Sequence, residues 1–108
     1  MLQYVFEKGQ KGDLKSCIDT IDEFCSSHWM MNLGPDKSNI LKDVLGKSKP
    51  KNILELGGYC GYSSLVFSHI TNAQIYSVEI SLKYANVARQ IQEFAGVKDR
   101  NLIMVGTV

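Results

Sequence analysis

Two carboxylates and a run of glycines are the residues of this sequence whose spacing could do chemistry. The stretch ILELGGYCGYSS, residues 53–64, carries Glu55 and then three glycines, of which Gly57 and Gly61 have the spacing Gly-x-x-x-Gly. Glu79 follows 22 residues after Gly57, at the end of another apolar stretch. Glycine lets a backbone approach a ligand closely because it has no Cβ, and carboxylates accept hydrogen bonds from hydroxyl groups. The pattern therefore predicts a small-molecule site at a glycine turn.

The elements that must position these residues alternate between strand and helix. Short apolar runs at 52–56, 73–80 and 101–106 indicate strands, and the first of them suits a buried strand. Helices are predicted between them, from about residue 61 to 69 and from 81 to 96. Right-handed crossovers turn this βαβαβ order into a parallel sheet with strand order 3-2-1. The fold class is therefore α/β and Rossmann-like, with ligands expected beyond the carboxyl ends of the strands.

Two helices are predicted before the first strand. Apolar residues at helical spacing run from Leu14 to Cys25, with Asp13 as the N-cap. A second helix covers roughly Asp36 to Leu45. Its apolar residues are expected to face inward: Ile40, Leu41, Val44 and Leu45. Residues 7–13 are predicted to be a flexible polar approach.

The predicted sheet leaves its first strand with one bare edge. A doubly wound sheet normally continues on the far side of that strand, and an exposed apolar edge invites association with another chain. We therefore expect residues 1–108 to be the N-terminal part of a single domain whose C-terminal half is absent, and to fold poorly alone.

Composition and charge narrow the classes of function. The 108 residues are 44% hydrophobic and 21% charged, which is sufficient for one domain with a core. The net charge of +1 gives no electrostatic reason to expect nucleic acid as a partner. No run approaches the roughly 18 apolar residues of a membrane span. Three cysteines without a Cys-x-x-Cys pair indicate a reducing, cytoplasmic location.

The glycine spacing also separates classes of nucleotide ligand. A dinucleotide fingerprint would read GxGxxG and a P-loop would need GK[ST]. Neither occurs at this turn, which disfavours a nicotinamide-binding domain. Glu79, at the tip of the second strand, is placed to accept both hydroxyls of a ribose. Ser63 and Ser64, in the first turn of the next helix, could bind a ligand carboxylate. Three alternatives stay open: a turn without a ligand, Glu79 as a solvated strand end, and Tyr59 as a packing residue.

Several separate segments together resemble one enzyme family. The segments HWMMNLG, ILELGGYCGYSS, SVEI and FAGVKD resemble the catechol O-methyltransferase family in order and spacing. The opening LQYVF…GD…GP also resembles the transmembrane O-methyltransferase-like proteins. The resemblance covers nearly the whole chain. It implies the class I methyltransferase fold and transfer of a methyl group from S-adenosylmethionine (SAM) to a hydroxyl of a small-molecule catechol, with Mg²⁺ in the complete enzyme.

The resemblance assigns ten residues to a site. Nine would contact SAM: Met31, Asn32, Leu33, Glu55, Gly57, Tyr59, Ser63, Glu79 and Ile80. Tyr59 would lie beside the sulfonium, near which Glu55 is tolerated because the ligand is cationic. Ser63 would bind the carboxylate, Glu79 the ribose, and Ile80 the adenine. Trp29 would form a wall over the catechol ring, although a lone tryptophan near a helix end is usually part of the core.

The resemblance also implies what this sequence lacks. In the family, two Asp and one Asn hold Mg²⁺ and a Lys is the general base, and all four come from later strands and loops. No residue of 1–108 is therefore assigned a catalytic or metal-binding role. Two functions stay open: the first part of an O-methyltransferase, inactive alone, and a truncated non-catalytic form that binds SAM weakly or not at all.

Overall fold

The computed structural model of the protein describes residues 1–28 and 34–107, with only the backbone at residues 34 and 35. In these ranges the α-helices are α1 (Leu2–Lys8), α2 (Leu14–Ser27), α3 (Gly34–Ser48), α4 (Tyr62–Ile70) and α5 (Leu82–Ala95). The strands are β1 (Asn52–Leu56), β2 (Gln74–Glu79) and β3 (Asn101–Val105), and a 3₁₀ turn covers Lys98–Arg100. The predicted βαβαβ order is confirmed. Helix α1 was not predicted.

The sheet is parallel, with β2 in the centre and β1 and β3 on its two sides. This is the predicted order. The register places Glu55 of β1 opposite Ser77 of β2, and Ser77 opposite Ile103 of β3. The carboxyl ends of β1 and β2 therefore lie together, which brings the glycine turn and Glu79 to one edge of the sheet.

The described helices cover one face of this sheet. The fully buried side chains there include Ile21 of α2, Leu65 of α4, Ile75 of β2 and Ile91 of α5. Helix α2 begins where predicted, since the Asp13 side chain accepts the Ser16 N–H at 3.0 Å. This core holds α4 and α5 against the sheet and thereby fixes the turns that precede them.

Helix α1 depends on packing rather than on its own sequence. Seven residues are too few for a helix to be stable alone in water. Two aromatic contacts hold it, Tyr4 with Phe24 of α2 and Phe6 with Phe94 of α5, at centroid distances of 5.4 and 5.0 Å. Its existence therefore follows from tertiary contacts that a local pattern does not show.

The opposite face of the sheet is open and apolar. Leu54, Leu56, Leu102 and Met104 lie on it and are between 40% and 63% exposed. The prediction that β1 is a buried strand was therefore wrong for Leu54 and Leu56. The sequence pattern is that of a parallel strand meant to be covered on both faces, whereas the described helices cover only one.

Helix α3 departs from its predicted orientation. Ile40 and Val44 were expected to face inward but are 66% and 54% exposed, while Leu41 and Leu45 are partly buried. Helix α3 packs against α4, and this contact covers only part of the apolar face of α3. Two of the four predicted core residues of α3 therefore lie on its surface.

Candidate functional site

The turn after β1 is built from backbone that only glycine adopts easily. Gly57 has φ +84°, in the left-handed region that favours glycine. The N–H groups of Gly57 and Gly58 both donate to the carbonyl of Val78, at 2.8 and 3.3 Å, which ties the turn to β2. A Cβ on Gly57 would meet no heavy atom within 4 Å. The turn is thus anchored on one side and open on the other, where a ligand could approach.

Gly61 has a different task. It precedes α4 with φ +91°, and a Cβ there would lie 3.0 Å from the Cβ and 3.2 Å from the Cα of Ala88. Helix α5 therefore passes too close to this turn for any side chain. The Gly-x-x-x-Gly spacing combines an open position at Gly57 with a close helix contact at Gly61.

Glu79 ties together the two turns that flank the site. Its side chain is only 6% exposed, so the alternative of a solvated strand end was wrong. One carboxylate oxygen accepts the Tyr59 N–H at 2.8 Å and the other accepts the Ser81 N–H at 2.6 Å. Each carboxylate oxygen can accept a second hydrogen bond, so Glu79 could still accept ribose hydroxyls. That role stays a prediction. Glu79 thus already has a structural role, which the sequence did not reveal.

Tyr59 lies in the turn with an unusual backbone conformation. Its φ is +47°, uncommon for a residue other than glycine. The hydrogen bond from its N–H to Glu79 and an edge contact of its ring with Tyr84, at 4.6 Å between centroids, hold it there. Strained backbone that is held by its surroundings is concentrated at functional sites.

The carboxyl group of Glu55 is partly buried and poorly solvated. Its carboxylate accepts the Ser77 hydroxyl at 3.0 Å and is also hydrogen-bonded by Ser63. Burial raises the pKa of Glu55 to about 7, the two serine hydroxyls oppose this, and the nearby Glu79 carboxylate adds to it. At neutral pH this carboxyl group is therefore poised between its neutral and charged forms, a state that a cationic ligand would shift toward the carboxylate.

The two serines at the start of α4 differ in what they can do. Ser64 is fully buried, donates to the carbonyl of Gly61 at 2.9 Å and accepts from the Gln92 amide at 3.0 Å. The expectation that it serves a ligand was therefore wrong. Ser63 is half-buried and lies beside Glu55. It stays a candidate for the ligand carboxylate.

The remaining predicted residues fall into two groups. Ile80 follows β2 and is 72% exposed, so its side chain is accessible to a flat ring. Four predicted residues lie outside the described part of the chain: Trp29, Met31, Asn32 and Leu33. Sequence reasoning missed Ser77. Its position two residues before Glu79, and therefore on the same face of β2, could have identified it.

A second cleft, of about 230 Å³, lies between α2, α3 and α4. Within it the Tyr62 hydroxyl donates to Asp22 at 2.7 Å and lies 3.5 Å from the Ser38 hydroxyl. Burial raises the pKa of Tyr62 above its ordinary value. The cleft is lined by the three helices rather than by the glycine turn, so we assign it a packing role between helices.

Residues 1–28 and 34–107 contain neither a cluster that could bind a metal ion nor a helix that could span a membrane. No three His, Cys, Asp or Glu side chains in these ranges are grouped so that they could hold a metal ion. None of the helices described there has both the length and the apolar character needed to cross a bilayer.

The sequence of this chain is similar to those of known O-methyltransferases. The sequence signature of the O-methyltransferase family matches residues 11–107. Catechol O-methyltransferase from mouse is 35% identical over 98% of this chain, which spans 41% of that protein. The transmembrane O-methyltransferase homolog from mouse is 29% identical over 94% of this chain and 41% of its own length.

A solved structure supports the fold. The SAH-bound methyltransferase from Podospora anserina superimposes with a TM-score of 0.67 at 25% identity, covering 96% of this chain and 46% of its own. The glycine turn and the parallel sheet agree with the Rossmann-like class I fold that the sequence predicted. The chain belongs to the O-methyltransferase family and spans less than half the length of these relatives.

Proposed function

We propose that this chain forms the SAM-binding part of an O-methyltransferase that acts on a catechol hydroxyl. The observation that carries the proposal is the pair of carboxylates, Glu55 and Glu79, on either side of an open glycine turn at the carboxyl ends of β1 and β2. The site thus offers acceptors for a cation and for hydroxyl groups beside a backbone that a ligand can approach. The name of the mouse relative supports a catechol as the methyl acceptor.

Each site residue has a task in this proposal. Gly57 leaves room for the ligand, Glu79 accepts the ribose hydroxyls, and Ser63 turns its one hydroxyl proton from Glu55 to the carboxylate of the ligand. Glu55 and Tyr59 lie at the sulfonium, and Ile80 packs on the adenine. Bound SAM would supply an electrophilic methyl carbon. The described residues would bind and orient this donor, which contributes to rate because a fixed geometry replaces a bimolecular encounter.

Four further residues complete the proposed site on the strength of the family resemblance. Met31, Asn32 and Leu33 would hold the methionine portion of SAM, and Trp29 would cover the catechol ring. Mg²⁺ does not fit the described residues, because no three potential ligand side chains among residues 1–28 and 34–107 are grouped. We therefore assign no step to a metal held by them.

We further propose that residues 1–108 are the N-terminal part of a single methyltransferase domain. The open apolar face, with Leu54, Leu56, Leu102 and Met104 exposed, supports this, because parallel sheets are normally covered on both faces. Edge strand β1 supports it as well, since a further strand could pair there. A cytoplasmic location is proposed from the buried free thiols of Cys17 and Cys60.

The same open face favours a second candidate, a non-catalytic form that binds SAM weakly. A sheet covered on one side buries less apolar area, so the turn would be held less firmly. Neither candidate is expected to methylate a catechol as residues 1–108 alone. A radiolabelled methyl-transfer assay with Mg²⁺ on a version of the chain that also carries a C-terminal half therefore separates them, and methyl transfer by that version would contradict the non-catalytic form.

The first prediction concerns ligand choice. We expect SAM and its demethylated product to bind at least about tenfold more tightly than NAD, since the turn lacks the GxGxxG spacing that accommodates a pyrophosphate. Titration calorimetry with the three ligands measures this. All three contain adenosine, so the comparison isolates the remainder of each ligand. Tighter binding of NAD, or no binding of SAM, would contradict the proposed function.

The second prediction concerns Glu79. Glu79→Ala should weaken SAM binding by about 1.5–3 kcal/mol, the scale of hydrogen bonds to a charged group. It should also lower the free energy of unfolding, because the Tyr59 and Ser81 N–H groups lose their acceptor. Calorimetry and urea unfolding measure the two effects.

Ser81→Ala is the matched control for Glu79→Ala. It removes the hydroxyl that caps α5 by accepting the Tyr84 N–H at 3.3 Å, a loss of about 1 kcal/mol of stability, but leaves Glu79 in place. We expect it to keep SAM affinity. If Glu79→Ala changes stability alone, the role of Glu79 is purely structural.

A further inference from the structure

We infer that Glu55 makes the site selective for the cationic methyl donor over the neutral product of the reaction. This inference rests on the proposed function, since it assigns a selectivity to the same site. SAM carries a fixed positive charge on sulfur, whereas its demethylated product S-adenosylhomocysteine (SAH) has a neutral thioether in the same place. The two ligands otherwise present the same groups to the protein.

The position of Glu55 makes this selectivity possible. It is the second-last residue of β1, and its Oε1 lies 3.5 Å from the place a Cβ on Gly58 would occupy. The carboxyl group therefore lies against the glycine turn. Ser77, which is 2% exposed, holds it from β2 with a hydrogen bond of 3.0 Å. An acid so placed cannot easily swing away into solvent when a ligand approaches.

No positively charged group of the described residues acts on Glu55. From β2 the groups that act on it are the Ser77 hydroxyl and the Glu79 carboxylate, and from α4 the Ser63 hydroxyl. Among the described residues, the charged group that acts on it is thus another anion. Burial, together with this anion, raises the pKa of Glu55 to about 7. A ligand with a fixed positive charge would supply the cationic partner that the described residues do not provide.

Proton exchange follows from this arrangement. When SAM binds near neutral pH, Glu55 would release to solvent the proton that it carries in part of the molecules. After methyl transfer the positive charge is gone, and Glu55 would take a proton back from solvent. Its interaction with the product would then be weaker than its interaction with the donor, which favours release of SAH.

Titration calorimetry with SAM and SAH tests the inference at pH 6 and pH 8. With a pKa of about 7, the ionised fraction of Glu55 rises from about one tenth to about nine tenths over this range, so SAM affinity should rise about tenfold. SAH affinity should change far less, and groups that the two ligands share cancel in the ratio. Buffers with different ionisation enthalpies should show proton release on SAM binding near pH 7 and less on SAH binding.

Glu55→Gln is the decisive variant. It should lower the preference for SAM over SAH about tenfold and remove the pH dependence of that preference, while SAH binding reports that the fold is intact. Glu93→Gln is the control, because it changes the net charge equally at an exposed position of α5. If Glu55→Gln weakens both ligands equally, or leaves the ratio and its pH dependence unchanged, the inference is wrong although the proposed function stands. If neither ligand binds the unaltered chain, both fail.

Discussion

Glu55→Gln is expected to raise the free energy of unfolding by about 3 kcal/mol at pH 8 and to leave it almost unchanged at pH 4. Burial raises the pKa of Glu55 from 4.5 to about 7 in the folded chain. The folded state therefore binds this proton more tightly than the unfolded state. The contribution of Glu55 to stability is complete below pH 4.5, is lost as the pH rises to about 7, and stays low above that. A neutral amide avoids the loss.

Urea unfolding of the two proteins at pH 4, 6 and 8 measures this difference. The other carboxylates titrate in both proteins, so the difference between them isolates Glu55. Glu93→Gln, at an exposed position, should show no comparable gain at pH 8. An equal difference at pH 4 and pH 8, or a destabilised variant at pH 8, would show that the carboxyl group of Glu55 is not disfavoured by burial.

The same substitution is predicted to stabilise the chain and to weaken its selectivity for SAM. A residue that costs stability in the folded protein and contributes to binding is characteristic of functional sites. If Glu55 served only to build the turn, through its bond with Ser77, Glu55→Gln would leave stability nearly unchanged at pH 8 as well as at pH 4, because the amide oxygen can still accept the Ser77 hydroxyl. The two measurements together therefore separate a binding role from a structural one.

The sequence allowed prediction of the sheet and of the two acids at its edge. The apolar runs of β1, β2 and β3 and the glycines after β1 are local features, so the strand order and the place of Glu55 and Glu79 could be inferred from them. The contacts of these acids could not. That Ser77 lies opposite Glu55 depends on the register of two strands, and that Glu79 accepts two backbone N–H groups depends on the path of two turns.

The errors concern burial and length. Leu54 and Ile40 have the pattern of core residues, yet whether such a residue is buried depends on which element covers it. In the described structure, helices cover only one face of the sheet, and α4 covers only one side of α3. Helix α1 was missed because it is too short to be recognised by periodicity. The roles of Trp29 and Met31, outside the described residues, stay predictions.

Gly61→Ala should be the most destabilising of the substitutions considered, at about 3–5 kcal/mol, against about 1–2 kcal/mol for Gly57→Ala. Both glycines have a positive φ, +91° and +84°, so alanine is strained at either position. Only at Gly61 would the new Cβ also meet α5, 3.0 Å from the Cβ and 3.2 Å from the Cα of Ala88. Gly57→Ala is therefore the matched control for backbone strain. Adding Ala88→Gly to Gly61→Ala should recover part of the loss, because it removes the closer of the two contacts.

The two variants should have the opposite order of effect on ligand binding. A Cβ on Gly57 would point into the open space beside the turn, where it meets no heavy atom within 4 Å, and that is where SAM is proposed to bind. Gly57→Ala should therefore lose SAM affinity by about tenfold or more while the fold persists. Urea unfolding and calorimetry on both variants test the pair. Equal losses of stability would show that α5 does not pack against Gly61, and unchanged SAM affinity of Gly57→Ala would place the ligand elsewhere.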